Sequence, residues 1–171
     1  MKNLIVLFVL ALAFNSCGQS KSADNDGSTV YYLIRHAEKD RSDATNRNPN
    51  LSEAGQKRAE NWNTHLKDVD FDMVYSTDYN RTKQTATPIA EREGLNISIY
   101  DPSNMASDEF MAETKGKTVL VLGHSNTTPV FANSLLGEKK YEMMADDNNS
   151  NLYIVTIAKD GTATSELKVV D

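Results

Sequence analysis

Thr29-Val30-Tyr31-Tyr32-Leu33-Ile34-Arg35-His36 is an apolar, β-branched and aromatic run that stops abruptly on a guanidinium and an imidazole. Its composition and length predict a buried strand over Thr29 to Ile34. In open α/β sheets ligands bind outside the carboxyl ends of the strands, so a cation and a nucleophile-competent ring delivered there point to a site for an anion. The pattern recurs at Thr118-Val119-Leu120-Val121-Leu122, a second buried-strand run that ends in Gly123-His124-Ser125-Asn126. The chain has only three histidines, and two of them follow strands in this way.

The stretches between these runs predict the rest of the architecture. Ser52 is placed to cap a helix reaching about Lys67, with Ala59, Trp62 and Leu66 at helical spacing and Trp62 in the core. Phe71 to Ser76 reads as a strand, and a turn over Thr77 to Asn80 leads to a helix from Arg81 to about Glu93. Pro88 within that helix removes a backbone donor, so a kink or a fresh start is expected there. Leu95 to Tyr100 reads as a strand, Ser107 to Thr114 as a short helix and Thr127 to Leu136 as a helix closed by Gly137. Leu152 to Ile157 and Thr162 to Val170 alternate around Lys159-Asp160-Gly161, a hairpin signal. Together these predict an α/β three-layer sandwich with a mainly parallel central sheet and an antiparallel C-terminal hairpin at its edge.

At 171 residues, 39% hydrophobic and 25% charged, the chain has room for one domain with a real core. Its formal charge of -6 argues against a nucleic-acid partner, which calls for a basic face. Eighteen Lys and Arg are spread without a run, so a polybasic membrane patch is not expected either. The beginning reads differently. Met1-Lys2-Asn3, the apolar stretch Leu4 to Phe14 and Asn15-Ser16-Cys17-Gly18 have the order of an export signal, and the apolar stretch is too short to span a bilayer.

Cys17 is the chain's only cysteine, and its setting resembles a bacterial lipobox. The expected organisation is therefore a signal peptide over residues 1–17 with lipidation at Cys17, a flexible tether over 18–28 and a single domain over 29–171. The corresponding location is the bacterial cell envelope, with the membrane reached through the lipid anchor only. A plain signal peptide with an incidental cysteine is the alternative. The oligomeric state is not legible.

Arg35-His36, Arg81 and His124 all fall at or just past carboxyl ends of predicted strands, so they are candidates for one pocket. Arginine offers a planar fork of donors matched to phosphate oxygens and stays charged at any working pH. Neutral imidazole attacks phosphorus, and a helix opening near Thr127 would direct free N–H groups to the same anion. Ser125 and Asn126 are further candidate donors. Glu38 and Lys39 read as structural or rim residues, His65 as a surface residue, Met143 and Met144 as packing or loop residues, and Asp146 to Asn151 as a polar turn. No spaced cluster of His, Cys or carboxylates suggests a metal, and no cofactor is expected.

Arg35-His36-Ala37-Glu38, then Tyr75-Ser76-Thr77-Asp78-Tyr79-Asn80-Arg81-Thr82-Lys83-Gln84-Thr85-Ala86, then Gly123-His124-Ser125 resemble the ordered signatures of the histidine phosphatase superfamily, also called phosphoglycerate mutase-like. Leu51-Ser52-Glu53-Ala54-Gly55-Gln56 resembles the same family's second-helix start, and the likeness spans about Val30 to Leu136. The resemblance implies that His36 is a nucleophile that becomes phosphorylated. It implies too that Arg35, Arg81 and His124 hold the phosphoryl oxygens, that water then releases phosphate from His36 without a metal, and that the substrate is a phosphorylated small molecule or phosphoprotein.

The chain departs from the family pattern at two places. Ala37 stands where glycine is commoner, and no carboxylate after Tyr100 sits in a motif clear enough to be the general acid, with Asp101, Asp108 and Glu109 the candidates. Three other readings stay open: a phosphate-binding or interaction module without turnover, a phosphoglycerate mutase-type phosphotransferase, and a protein phosphohistidine phosphatase.

Overall fold

β1 (Thr29–Arg35) pairs in parallel with β4 (Thr118–Gly123), and the pairing runs in register from Val30 opposite Thr118 to Arg35 opposite Gly123. β4 pairs in parallel with β2 (Met73–Ser76), and β2 with β3 (Ile97–Ile99). On the other side β5 (Asn151–Ile157) and β6 (Ala163–Val169) form an antiparallel hairpin added to β1, giving the order β3-β2-β4-β1-β5-β6. The computed structural model describes residues 27–170. The leader, Cys17 and most of the tether lie outside the described residues, within which no helix is long and apolar enough to cross a membrane.

Period-two alternation fills both faces of the sheet. Tyr31 and Leu33 of β1, Val119 and Val121 of β4 and Tyr153 and Val155 of β5 bury one way, against Phe110 of α3 (Asp108–Thr114) and Phe131, Ala132 and Leu135 of α4 (Thr127–Leu136). Ile34, Leu120, Leu122 and Leu152 bury the other way, against Trp62 of α1 (Glu53–His65) and Ala86, Ile89 and Ala90 of α2 (Asn80–Glu93). Trp62, Tyr31, Tyr153 and Phe131 are the largest side chains fully removed from water. At roughly 1.5–3 kcal/mol for each large apolar side chain buried, these two layers drive the fold. The three-layer α/β sandwich expected from the sequence is thus the observed one.

The helix ends follow local chemistry. Ser52 accepts from Gly55 N–H as N-cap of α1, Ser107 accepts from Phe110 N–H as N-cap of α3, and Gly94 and Gly137 close α2 and α4 in left-handed geometry. Arg92 uses its fork to cap the end of α1, donating from Nη1 to Asn63 O at 2.7 Å and from Nη2 to Leu66 O at 3.1 Å. α2 corrects one expectation, because it runs from Asn80 to Glu93 without an interruption at Pro88. The helix is held on both sides of the proline by buried Thr85, Ala86, Ile89 and Ala90, and packing outweighs one lost backbone bond. The strand over Phe71 to Ser76 begins only at Met73, and β3 is shorter than Leu95 to Tyr100.

Two glycines set how closely helices approach the site. A Cβ on Gly55 would lie 2.0 Å from Glu38 O, so only glycine lets α1 start against the backbone that follows His36. A Cβ on Gly123 would meet Thr128 Oγ1 at 2.7 Å and Thr127 Oγ1 at 3.0 Å, so glycine also lets α4 begin directly beside the end of β4.

Candidate active site

His36 leaves β1 with both of its backbone polar groups engaged. Its N–H donates to Gly123 O at 3.0 Å, one step beyond the β1–β4 ladder, and its carbonyl accepts from Asn149 Nδ2 at 2.7 Å. The next residue is fixed too, since Ala37 N–H donates to Thr85 Oγ1 at 2.9 Å, and Thr85 in turn donates to Arg81 O at 2.7 Å. Ala37 is fully buried with Leu51 and Ala59 and has an ordinary negative φ, so alanine in place of glycine carries no backbone strain. β1 and α2 therefore reach the site as one hydrogen-bonded unit.

The His36 ring has a single consistent tautomer. Nδ1 lies 2.7 Å from Ala37 O, a group that only accepts, so Nδ1 carries the proton and Nε2 keeps its lone pair. His36 is 4% exposed, and its pKa is lowered to about 3, first by burial and then by Arg35, His124 and Arg81, against the opposing Ala37 hydrogen bond. A neutral imidazole with a free lone pair is what nucleophilic attack requires.

His124 lies across from it, with ring centroids 5.4 Å apart. A directional chain of hydrogen bonds fixes its tautomer as well. Thr82 Oγ1 donates to the carbonyls of Thr77 and Tyr79, both at 2.9 Å, and Thr77 Oγ1 donates to Thr82 Oγ1 at 3.1 Å. Thr77 Oγ1 is left to accept from His124 Nε2 at 3.0 Å, and Nδ1 faces Arg81 Nη2 at 3.4 Å. Burial, then Arg81, Arg35 and Lys39, lower the His124 pKa to about 4.

Arg81 stands in the first turn of α2, its guanidinium carbon 4.3 Å above the Tyr79 ring. Its Nε and Nη1 are buried without a partner, as is Nε of Arg35. A buried unpaired donor costs about 1–3 kcal/mol, more when charged, and three of them belong to two arginines that line one cavity. That cavity, about 390 Å³, also takes in His36, Lys39, His124 and, from the start of α4, Thr127. The four residues singled out from the sequence thus meet, and Ser125 and Asn126 line the same space.

Arg35 holds a position that sequence reasoning missed. It is 2% exposed, and its Nη1 donates to the carbonyls of Ala145, Asp146 and Asn148, each at 3.0 Å, while Nη2 meets Asp146 Oδ1 at 3.1 Å. The segment read as a polar turn, Asp146 to Asn151, is therefore a wall of the site, and buried Asn149 is its link to His36. Glu38 ion-pairs with Arg58 Nε at 2.7 Å and lines an adjoining cavity of about 550 Å³, together with Lys39 and Arg41. Lys39 lines both spaces.

None of the three candidate acids lines the cavity shared by His36 and His124. Asp101 and Glu109 line a separate one beside Phe110 and Phe131, and hydrogen bonds from Ser103 hold the Asp101 carboxyl below its ordinary value. Asp108 belongs to the first turn of α3. Asp146 is the carboxylate that lines the cavity shared by His36 and His124, and the Arg41 hydrogen bond together with Arg35 keeps it ionised. Among the described residues no group of three or more His, Cys, Asp or Glu could hold a metal ion.

Comparison with known proteins bears on the family and the fold. The model of the histidine phosphatase superfamily (branch 1) matches residues 31–102. No curated protein sequence matches the chain. A mycobacterial glucosyl-3-phosphoglycerate phosphatase in complex with VO3 is 15% identical, covers 84% of this chain and 99% of its own, and superposes with a TM-score of 0.63. The protein histidine phosphatase SixA, complexed with tungstate, is 17% identical over 82% of this chain and 96% of its own, with a TM-score of 0.62. A phosphoglycerate mutase from Bacillus anthracis is 19% identical over 84% and 94%, also at 0.62. Likeness at this identity carries the fold and leaves the substrate open.

The depressed histidine pKa values make stability pH-dependent. In the unfolded chain both rings take up protons below about pH 6.5, whereas in the folded chain they do so only near 3 and 4, so stability is lost as pH falls through that window. Each histidine costs up to about 1.4 kcal/mol per pH unit there. Denaturant unfolding of a His36→Gln/His124→Gln variant should lose less stability between pH 7 and pH 4.5 than the parent; an equal loss would contradict the buried neutral rings.

Proposed function

From the premise that this chain belongs to the histidine phosphatase superfamily, we propose that it is a metal-independent phosphohydrolase that works through a phosphohistidine at His36. The observation that carries this reading is the set of three buried guanidinium nitrogens without partners, on two arginines that line one cavity with His36 and His124. Unpaired buried cations are costly in an empty site and are satisfied by a phosphoryl group. Two of the similar structures were obtained with VO3 and tungstate, oxyanions related to phosphate.

In the first step the Nε2 lone pair of His36 attacks phosphorus and the bond from phosphorus to the leaving group breaks. Arg81 and the Nε of Arg35 take up the charge on the phosphoryl oxygens, His124 positions Arg81 by turning its Nδ1 lone pair to Nη2, and the start of α4 adds its partial positive end. In the second step water attacks phosphorus, one of its protons passes to the phosphate being formed, the P–N bond breaks, and its electron pair returns to His36 Nε2. Nδ1 keeps its proton throughout, and its hydrogen bond to Ala37 O steadies the charged phosphohistidine ring.

The carboxylates near the nucleophile bear on the substrate. Asp146 is held ionised by Arg41 and Arg35, which suits it poorly to protonating a departing group. This favours substrates whose leaving group departs without strong protonation, such as acyl or aryl phosphates and phosphohistidine, over simple alkyl esters. A phosphoglycerate mutase-type transferase, which must handle sugar-acid hydroxyls, fits this pocket less well.

The leader supports a second proposal, that the mature chain is lipidated at Cys17 and held at the cell envelope. Radiolabelled palmitate should enter the wild-type chain and be lost in Cys17→Ala; label that persists in the variant would refute attachment there.

For the chemistry, steady-state hydrolysis of p-nitrophenyl phosphate provides the check. His36→Ala should abolish turnover, and Arg81→Ala should lower kcat/KM by roughly 10²-fold or more. Full activity in His36→Ala would overturn the assignment. A wild-type protein that binds phosphate but turns nothing over would be a binding module on the same fold.

A further inference from the structure

The Arg35 side chain is committed before any ligand arrives. Three carbonyls share Nη1, and Nη2 is taken by the Asp146 carboxylate at 3.1 Å. The second oxygen of the same carboxylate meets Arg41 Nη2 at 2.8 Å, so Asp146 bridges the buried guanidinium and an exposed one. Asp146 lines the cavity that holds His36, Arg81 and His124 as well as the adjoining one that holds Arg41. Its side chain is 70% exposed, and that of Arg41 is 58% exposed.

We propose that Asp146 is a built-in competing anion, which occupies Arg35 Nη2 in the resting site, weakens the grip on the phosphoryl group and so hastens release of phosphate. The inference rests on the phosphoryl-site reading above and adds a residue that sets the affinity of that site.

Four features support it. Arg35 is 2% exposed, and a guanidinium so deeply buried calls for a counter-ion, which Asp146 supplies while the cavity is empty. The carboxylate itself stays in water, and its bond to Arg41 is an exposed, screened pair that holds it weakly, so it gives way when a phosphoryl group replaces it as the counter-ion of Arg35. The cavity lining carries Arg35, Lys39 and Arg81 against Asp146 alone, so one carboxylate removes a large share of the positive field that an incoming dianion meets. The three carbonyls on Nη1 keep Arg35 in place when Asp146 leaves, so the carboxylate is not needed to position the guanidinium.

The experiment is isothermal titration of inorganic phosphate into the full chain and into Asp146→Asn and Asp146→Glu. The neutral variant should bind phosphate about tenfold more tightly, as expected for deleting one negative charge a few ångströms from the ligand in a partly screened site. Asp146→Glu, which keeps the charge, should stay near the wild-type affinity and shows that any change in Asn follows charge rather than folding. Under steady state the same Asn variant should show stronger product inhibition by phosphate and a lower kcat with a lower KM. Unchanged or weaker phosphate binding in Asp146→Asn would overturn the competing-anion role. Wild-type protein that binds no phosphate at all would instead overturn the phosphoryl site on which the proposal rests.

Discussion

The hydrogen bond from His36 N–H to Gly123 O, 3.0 Å long, is the constraint from which the rest of the site follows. It carries the parallel β1–β4 pairing one residue past Arg35 opposite Gly123, so His36 and His124 leave the sheet side by side. A slip of one residue would send every side chain of β1 to the other face and take His36 away from its partner. Such a slip is resisted by the two buried layers, since Tyr31 and Leu33 pack with α3 and α4 while Ile34 packs with α1 and α2. Register, which is set by the core, thereby sets the spacing of the two imidazoles.

The site is expensive to build. Two arginines hold three buried nitrogens without partners, and two imidazoles are kept neutral in the same space. The unpaired nitrogens are unfavourable in the empty protein at any pH and the neutral rings only below about pH 6.5, and under the proposed function a bound phosphoryl group satisfies the nitrogens, which is how a pocket is preorganised for charge. The backbone around His36 is correspondingly over-determined. Gly123, Asn149 and Thr85 each hold one of its main-chain polar groups or its neighbour's, and Arg35 fastens the 145–148 segment that leads into Asn149.

Much of this was legible in the chain, and the reason is local. The β1 and β4 runs, the Ser52 cap, the limits of α4 at Thr127 and Leu136 and the C-terminal hairpin all announce themselves in composition and turn chemistry over a few residues. His36, Arg81 and His124 could be placed at strand ends for the same reason. What was not legible depends on partners far away in sequence. Arg35 finds Ala145, Asp146 and Asn148 more than a hundred residues on, so a stretch that reads as an ordinary polar turn becomes a wall of the site. Thr77, Thr82 and Thr85 sit within the motif but gain their roles only from the fold, and Pro88 would break an isolated helix that packing keeps whole. The acid role could not be assigned from the sequence because proximity along the chain to Tyr100 was the only guide, and the fold sends Asp101 and Glu109 to another cavity.

The central claim is that His36 Nε2, freed by the bond from Nδ1 to Ala37 O, takes the phosphoryl group. Rapid quenching of turnover of a ³²P-labelled aryl phosphate, followed by peptide mapping, tests it most directly. The account predicts an acid-labile, base-stable phosphoryl group on the peptide that contains His36. Turnover with no label on the protein, or label on any other residue, would contradict it.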